Sequence, residues 1–303
     1  RISTLTGGVN LFYHGRFASL SNDWRFELFA NYSTPNFSQN FFGFGNETRN
    51  NREASVNYYR VRMQNITLEP AYKLFSPNGV VLGFSTALEY IKVDENANRF
   101  ITTYFPEDYD LYKGQYYAVP KINFSFENYN QPHNPSLGLG YNLEMGWYVN
   151  LQNESRNVPF LHTKLNFDFP LNRSEKLVFA TLTKAKFTFT DNFEFFQGAT
   201  LGGDDDLRGF RRERFSGQNS FLQSTDIRWN IGTIGETLAP MEFGIYLGYD
   251  IGRVWKYADP SKQWHSSHGA GIWLSIFDAL TGHVAYFKGS DGGRVTGGIG
   301  FRF

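Results

Sequence analysis

The chain has 303 residues, with 29 basic side chains against 29 acidic ones, so it lacks the basic excess of a nucleic-acid binder. It contains no cysteine, which excludes a disulfide framework, thiol catalysis and cysteine-ligated metals. No run of about 18 apolar residues occurs, so no transmembrane helix is expected. A mean hydropathy of −0.42 suggests a water-soluble protein. That inference fails for transmembrane β-barrels, whose lipid-facing and lumen-facing residues alternate and keep the average low. The chain opens at Arg1 without a methionine or a signal peptide, and so reads as a mature or truncated product.

In chain order, TGGVNLFYHGRF (6–17) alternates Val9, Leu11 and Tyr13 with Asn10, Phe12 and His14, which is a strand pattern. Further strands begin near residues 24, 58, 80, 115, 137, 158, 177, 219, 241, 265, 283 and 294. That makes about twelve, each long enough for the 9–11 residues that a tilted crossing needs. Bacterial single-chain barrels have even strand numbers. Residues 1–23 are therefore read either as an N-terminal segment or as an additional strand, ahead of an all-β, antiparallel transmembrane barrel over 24–303. ITLEP (66–70) interrupts the alternation of Tyr59, Val61 and Met63, and a bulge is expected there.

Period two continues through the chain. KINFSFEN sets Ile122, Phe124 and Phe126 against Lys121, Asn123 and Ser125, and LHTKLNFDFP sets Leu161, Leu165 and Phe167 against His162, Lys164 and Asp168. In MEFGIYLGYDIG, Ile245, Leu247 and Tyr249 oppose Gly244, Tyr246, Gly248 and Asp250. The final RVTGGIGFRF places Val295, Ile299, Phe301 and Phe303 on one face. No amphipathic helix is evident. Short turns (76–79, 131–136, 172–176, 235–240, 279–282) alternate with longer polar loops (35–57, 95–114, 151–157, 192–218, 256–264), as in outer-membrane barrels. Aromatic residues recur at strand ends, at Trp24, Tyr58, Tyr59, Tyr90, Tyr116, Tyr117, Trp147, Tyr148 and Trp255, as interfacial girdles would require. A soluble sandwich or propeller has shorter strands, about 5–6 residues, and lacks such lopsided loops.

LGGDDDLRGFRRERFSG (201–217) is too polar for a core element, and its two Phe and four Arg exceed what a solvated loop needs. A buried guanidinium requires a carboxylate, and arginine offers a planar fork for one. By parity Asp226 and Asp250 face the lumen, and a hairpin centred near Ile234–Leu238 brings them within about two residues of each other. Arg208 can then bridge both. Gly209 permits a tight turn or a close approach to the wall, and Phe210 would pack inside. The run Asp204–Asp206 matches no EF-hand spacing and reads as solvated. His162, Lys164 and Asp168 have no triad context, and Arg60, Arg62, Lys184 and Lys186 are expected to line a wet lumen. No catalytic, metal or cofactor site emerges.

These residues resemble the BamA/TamA superfamily of outer-membrane assembly and secretion barrels. Leu207-Arg208-Gly209-Phe210 matches its lumen-loop motif, five strands before the C-terminus. Asp226-Ile227-Arg228 and Asp250-Ile251-Gly252-Arg253-Val254-Trp255 match acidic motifs on the two following strands, and Phe303 matches the C-terminal sorting signal. The match is specific over 198–303 and generic over 1–190, although NFFGFGNET (40–48) resembles a loop of Bacteroidetes-type members. The family's periplasmic POTRA repeats are not in this sequence. The resemblance implies a multi-pass protein of a Gram-negative outer membrane, in contact with lipid and lipopolysaccharide. It would insert membrane proteins, or translocate or display a client polypeptide or its own upstream domain, and would not be an enzyme. Some relatives carry a fused lipase or phosphoesterase. It also implies a plugged lumen of low conductance, with 192–218 folded inside. Gly297, Gly298 and Gly300, with Phe301 and Phe303, would form a weak seam between last and first strands, open to β-augmentation. The rival readings are a passive channel for small solutes and a barrel phospholipase, for which no nucleophile motif is found.

Overall fold

In a computed structural model of the chain, the described residues are 2–3, 8–17, 23–55, 57–96, 98–105, 110–235, 241–277 and 280–301. The strands are β1 (Ile2–Ser3), β2 (Gly8–Phe17), β3 (Trp24–Asn40), β4 (Arg60–Phe75), β5 (Val80–Val93), β6 (Gln115–Tyr129), β7 (Gly138–Asn150) and β8 (Val158–Pro170). They continue as β9 (Leu177–Thr188), β10 (Ala199–Leu201), β11 (Phe215–Gly217), β12 (Asn219–Ile234), β13 (Met241–Trp255), β14 (His265–Ile276), β15 (Leu280–Gly289) and β16 (Gly292–Ile299). Fourteen of them form one antiparallel sheet in chain order, β1 to β9 and then β12 to β16. The pair β10–β11 is a separate ribbon within the loop that joins β9 to β12.

The twelve strands expected from residue 24 onward all occur, and Gly8–Phe17 and the two-residue β1 are additions to the sheet. β2 occupies one edge of β3 and β4 the other. Both hydrogen-bonding edges of Phe26–Tyr32 are thereby taken, and residues 8–17 are a strand of the sheet, the second of the two readings of the N-terminal segment. A short helix, α1 (Phe100–Tyr104), was not expected; five residues are too few to display a helical period.

Along β12 to β15 one face of the sheet is buried and the other is exposed and apolar, whereas β2 exposes Leu11, Phe12 and Tyr13 on both faces. On β13, Tyr246 and Asp250 are buried, whereas Leu247 on the alternate face is 62% exposed. On β14 and β15 the exposed face carries Ile272, Val284 and Tyr286. Apolar side chains on this scale are unusual for the surface of a soluble monomer.

Three inward clusters pack on the buried side, the third around Tyr246, Trp273 and Phe287. At the long-loop end, Phe41, Val61, Ile91, Ile101, Tyr117, Phe160 and Phe195 pack together. Nearer the C-terminal strands, Leu182, Leu201, Leu207, Phe210, Phe215, Leu222 and Val254 do so. Tyr59 and Tyr117 are therefore buried, not girdle residues as expected; the long loops fold over the sheet and need aromatic side chains beneath them.

The same cap explains β4. Its pairing with β5 keeps one register throughout, and the shift lies in β3, between Ser33 and Phe37. No bulge falls at 66–70, contrary to expectation; the irregularity lies on β3, opposite Met63–Asn65. Inward residues of β4 change from apolar under the cap, at Val61 and Met63, to polar below it, at Thr67, which mimics a broken alternation. Arg60 and Arg62 alternate with buried Val61 and Met63, so they lie on the outer face and not in the lumen.

At the C-terminus β16 ends at Ile299. Gly300 adopts φ +80 and donates its N–H to the Thr281 carbonyl, and the chain turns. Phe301 is consequently buried against Tyr246, Trp273 and Phe287, on the opposite face from exposed Val295 and Ile299. Extrapolating strand parity past a left-handed glycine gave the wrong face for Phe301. Residues 236–240 and Phe303 lie outside the described residues.

Candidate functional site

The site is the contact between the 189–218 loop and the inner faces of β12 to β15. Antiparallel pairing of β12 with β13 sets Ser224 opposite Asp250 and Asp226 opposite Gly248. The two carboxylates are thus diagonal neighbours on the buried face. Between them lies Arg208. Its Nη2 donates to Asp226 Oδ1 at 2.8 Å and to Asp250 Oδ1 at 2.6 Å, and its Nη1 donates to Asp226 Oδ2 at 3.1 Å. Its Nε donates to Asp250 Oδ1 at 3.0 Å, and its backbone N–H donates to Asp250 Oδ2, also at 3.0 Å.

Hydroxyls complete the shell. Ser224 Oγ donates to Asp250 Oδ1 at 2.7 Å and accepts from Arg208 Nη2 at 3.1 Å. Ser267 Oγ donates to Asp250 Oδ2 at 2.8 Å. The guanidinium lies 4.0 Å from the Phe287 ring centroid, a cation–π contact on its remaining face. Asp226 and Asp250 are 1% and 0% exposed, so the ion pairs are out of water. Burial works to lower the Arg208 pKa, but the two carboxylates outweigh it and hold the guanidinium above its ordinary range. The arrangement is a clamp: one fork joins two strands to one loop.

Gly209 and Phe210 follow. A Cβ on Gly209 would lie 2.7 Å from both the Gly289 nitrogen and Ser267 Cβ, so only glycine lets the loop lie flat on β14 and β15. Its φ is not left-handed; close approach, not turning, is the requirement. Phe210 is fully buried beside Phe215, and its carbonyl accepts from Arg294. Leu207 is equally buried in the same cluster. Asp204 faces Arg212 at 3.3 Å, and Asp206 faces Lys184 at 3.0 Å. Among the described residues no group of three or more His, Cys, Asp or Glu is arranged to hold a metal ion.

Two buried pairs were not anticipated. Arg228, fully buried on β12, donates to Asp168 on β8 and to the Pro135 carbonyl in the β6–β7 turn, at 2.8 Å for the latter. Phe301 caps it at 4.8 Å and donates its own N–H to the His133 carbonyl. Arg214, also buried, donates to Asp291 in the β15–β16 turn and to the Thr48 carbonyl, at 2.7 Å for the latter. Asn46 bonds both backbone groups of Val254, and Gly45 donates to the Ser216 carbonyl. Hence the 40–48 loop, the 189–218 loop and the last hairpin are tied together. Asp168 and Arg228 share an inward parity that the sequence does display. What it does not display is that their strands, separated by β9, come within reach.

Elsewhere the inner wall is polar. A cavity of about 300 Å³ is lined by His14, Glu27, Glu69, Lys73, Lys121 and Glu144. Lys73 Nζ lies 2.8 Å from Glu27, and Lys121 Nζ lies 2.7 Å from Glu69. Of the glycines expected at a seam, Gly297 and Gly298 lie on β16, opposite Val284 and His283 of β15, its described partner, whereas Gly300 follows the strand.

A loop clamped by an Arg-Gly-Phe motif to two acidic strands of a large antiparallel sheet defines a BamA/TamA-type outer-membrane barrel protein. The family model of the haemolysin secretion/activation proteins ShlB/FhaC/HecB matches residues 113–275, and the chain belongs to that family. Among curated protein sequences none matches the chain. Solved structures are similar in fold. BamA from Haemophilus ducreyi lacking POTRA domains 1–3 is 15% identical, with a TM-score of 0.65 over 96% of this chain and 62% of that one. CdiB from Acinetobacter baumannii is 13% identical, with a TM-score of 0.62 over 98% of this chain and 51% of that one. CdiB from Escherichia coli is 12% identical, with a TM-score of 0.58 over 98% and 57%. The chain therefore spans between half and two thirds of each.

Proposed function

We propose that this chain is the membrane-embedded barrel of a protein that inserts membrane proteins into the outer membrane of a Gram-negative bacterium, or moves a client polypeptide across or onto it. The observation that carries the reading is the clamp of Arg208 on Asp226 and Asp250, in a chain of this family. A buried pair of this kind costs desolvation and is kept where it fixes one arrangement against others. Here it holds a loop against the wall and keeps the lumen filled along β12 to β15. The exposed apolar face meets lipid. Client entry is assigned to β16, which pairs on one side with β15 and carries Gly297 and Gly298. The reading gives the chain no catalytic role and no cofactor.

The test is reconstitution of the whole chain in liposomes presented with an unfolded eight-stranded outer-membrane protein. Folding of that client, followed by gel mobility, should be several-fold faster than in empty liposomes. An unchanged rate, together with rapid uptake of small sugars in a swelling assay, would overturn the proposal in favour of a passive channel. The charged cavity lined by Glu27, Lys73, Glu69 and Lys121 is the observation that favours that second reading.

A further inference from the structure

Four cations on the outer face are not absorbed by the clamp. Arg60 and Arg62 project from the long-loop end of β4, alternating with buried Val61 and Met63. Arg99, in the β5–β6 loop, reaches the same place. Its Nη1 donates to the Asn57 carbonyl, while Arg60 Nη1 donates to Asn57 Oδ1 at 3.2 Å. Burial, and then the proximity of Arg62 and Arg60, hold the Arg99 guanidinium below its ordinary range. Lys92 is exposed on β5, where it pairs with Gln64, two residues from Arg62. Among the described residues none of the four forms an ion pair; Asp94 and Glu95 follow Lys92 in sequence and make none with them. One carboxylate, Asp94, stands across from Arg62, whose carbonyl accepts its N–H, yet it ion-pairs with none of the four; the cations outnumber the acids beside them and repel one another, so the arrangement is suited to an anion from outside.

Their height identifies the source. Below them the same face is apolar, with exposed Ile66, Leu68 and Tyr72 on β4 and Phe84 and Leu88 on β5. Tyr90 pairs with Tyr116, ring centroids 4.9 Å apart, as an interfacial aromatic pair would. Lys92 lies two residues beyond Tyr90, about 7 Å, and Arg62 four beyond Ile66, about 13 Å, at roughly 3.3 Å per residue. The cations thus stand just above the apolar band, at the level of lipid headgroups. Arginine forks match phosphate oxygens in pairs.

We propose that Arg60, Arg62, Arg99 and Lys92 form a binding site for the phosphate groups of an anionic lipid in the outer leaflet. This rests on the outer-membrane reading. The test uses the whole chain in lipid nanodiscs and native mass spectrometry, with bisphosphorylated lipid A as probe and dephosphorylated lipid A as control. The wild type should retain the bisphosphorylated form and not the control. R60Q/R62Q/R99Q should lower retention on the order of a hundredfold, at about 1 kcal/mol for each surface cation. R60K/R62K/R99K should recover part of it, and R173Q/K176Q, at the short-turn end, should lose none. Equal retention by the triple glutamine variant, or of the dephosphorylated lipid, would overturn the site alone. A wild type that fails to enter nanodiscs at all would overturn the membrane reading and the site with it. Should the triple variant fail to fold, R62Q alone is expected to weaken retention about fivefold on the same scale, and an unchanged value would overturn the site.

Discussion

Gly209 lies against Gly289: a Cβ on Gly209 would stand 2.7 Å from the Gly289 nitrogen, and a Cβ on Gly289 would stand 2.6 Å from Cε2 of the adjoining Phe210. The loop and the end of β15 fit only because both lack side chains. Gly209→Ala or Gly289→Ala should lift the loop off the wall and cost about 1–3 kcal/mol, as overpacking does. The temperature at which the folded barrel converts to the unfolded form on a gel would report this. Wild-type transition temperatures in both variants would refute the close approach.

The fork of Arg208 makes a sharper prediction. Arg208→Ala leaves Asp226 and Asp250 buried without their cation and should cost about 3–5 kcal/mol. Arg208→Lys should not restore the loss, since one ammonium cannot meet both carboxylates in the plane that Nε, Nη1 and Nη2 do. In a double-mutant cycle, Arg208→Ala combined with Asp226→Asn should be less damaging than the sum of the two. Strict additivity would mean that the residues do not act together.

Arg228 and Asp168 carry a second buried pair, with side chains 2% and 4% exposed. Asp168→Ala should destabilise by a similar amount, about 3–5 kcal/mol. It should also free the 131–136 turn, because the Pro135 carbonyl and Asn134 share the same guanidinium. Protease cleavage within that turn should rise in Asp168→Ala and not in Arg208→Ala. Equal cleavage in the two variants would separate the turn from the pair.

The clamp was readable because its parts are local in the right sense. Period-two parity assigns Asp226 and Asp250 to one face, and a single hairpin sets their offset. The pair of Arg228 with Asp168 was not readable, since β9 stands between β8 and β12 and alternation carries no information on contacts that skip a strand. Arg60 and Arg62 read as lumenal on polarity alone. That fails at the long-loop end, where Phe41 and Tyr117 fill the inside and charge belongs outside. Parity misplaces Phe301 for a backbone reason, the left-handed turn at Gly300.

The two faces of the sheet should tolerate charge differently. Leu247 is 62% exposed on the apolar outer face, so Leu247→Arg should hinder membrane insertion by about 2–4 kcal/mol if it lies near the midplane. The inner control must be chosen by space as well as by parity. Gly248 is unsuitable, because a Cβ there would fall 2.5 Å from Phe287 Cζ and 2.6 Å from Asp226 Oδ1. Gly248→Ser should therefore damage the clamp, although the residue faces the polar side. Asn123 instead borders the cavity that holds Glu69 and Glu144, where a new guanidinium has room and carboxylate partners. Asn123→Arg should insert into liposomes as the wild type does, Leu247→Arg should insert poorly, and Gly248→Ser should insert but melt earlier. Equal insertion of Leu247→Arg and Asn123→Arg would mean that the apolar face does not meet lipid.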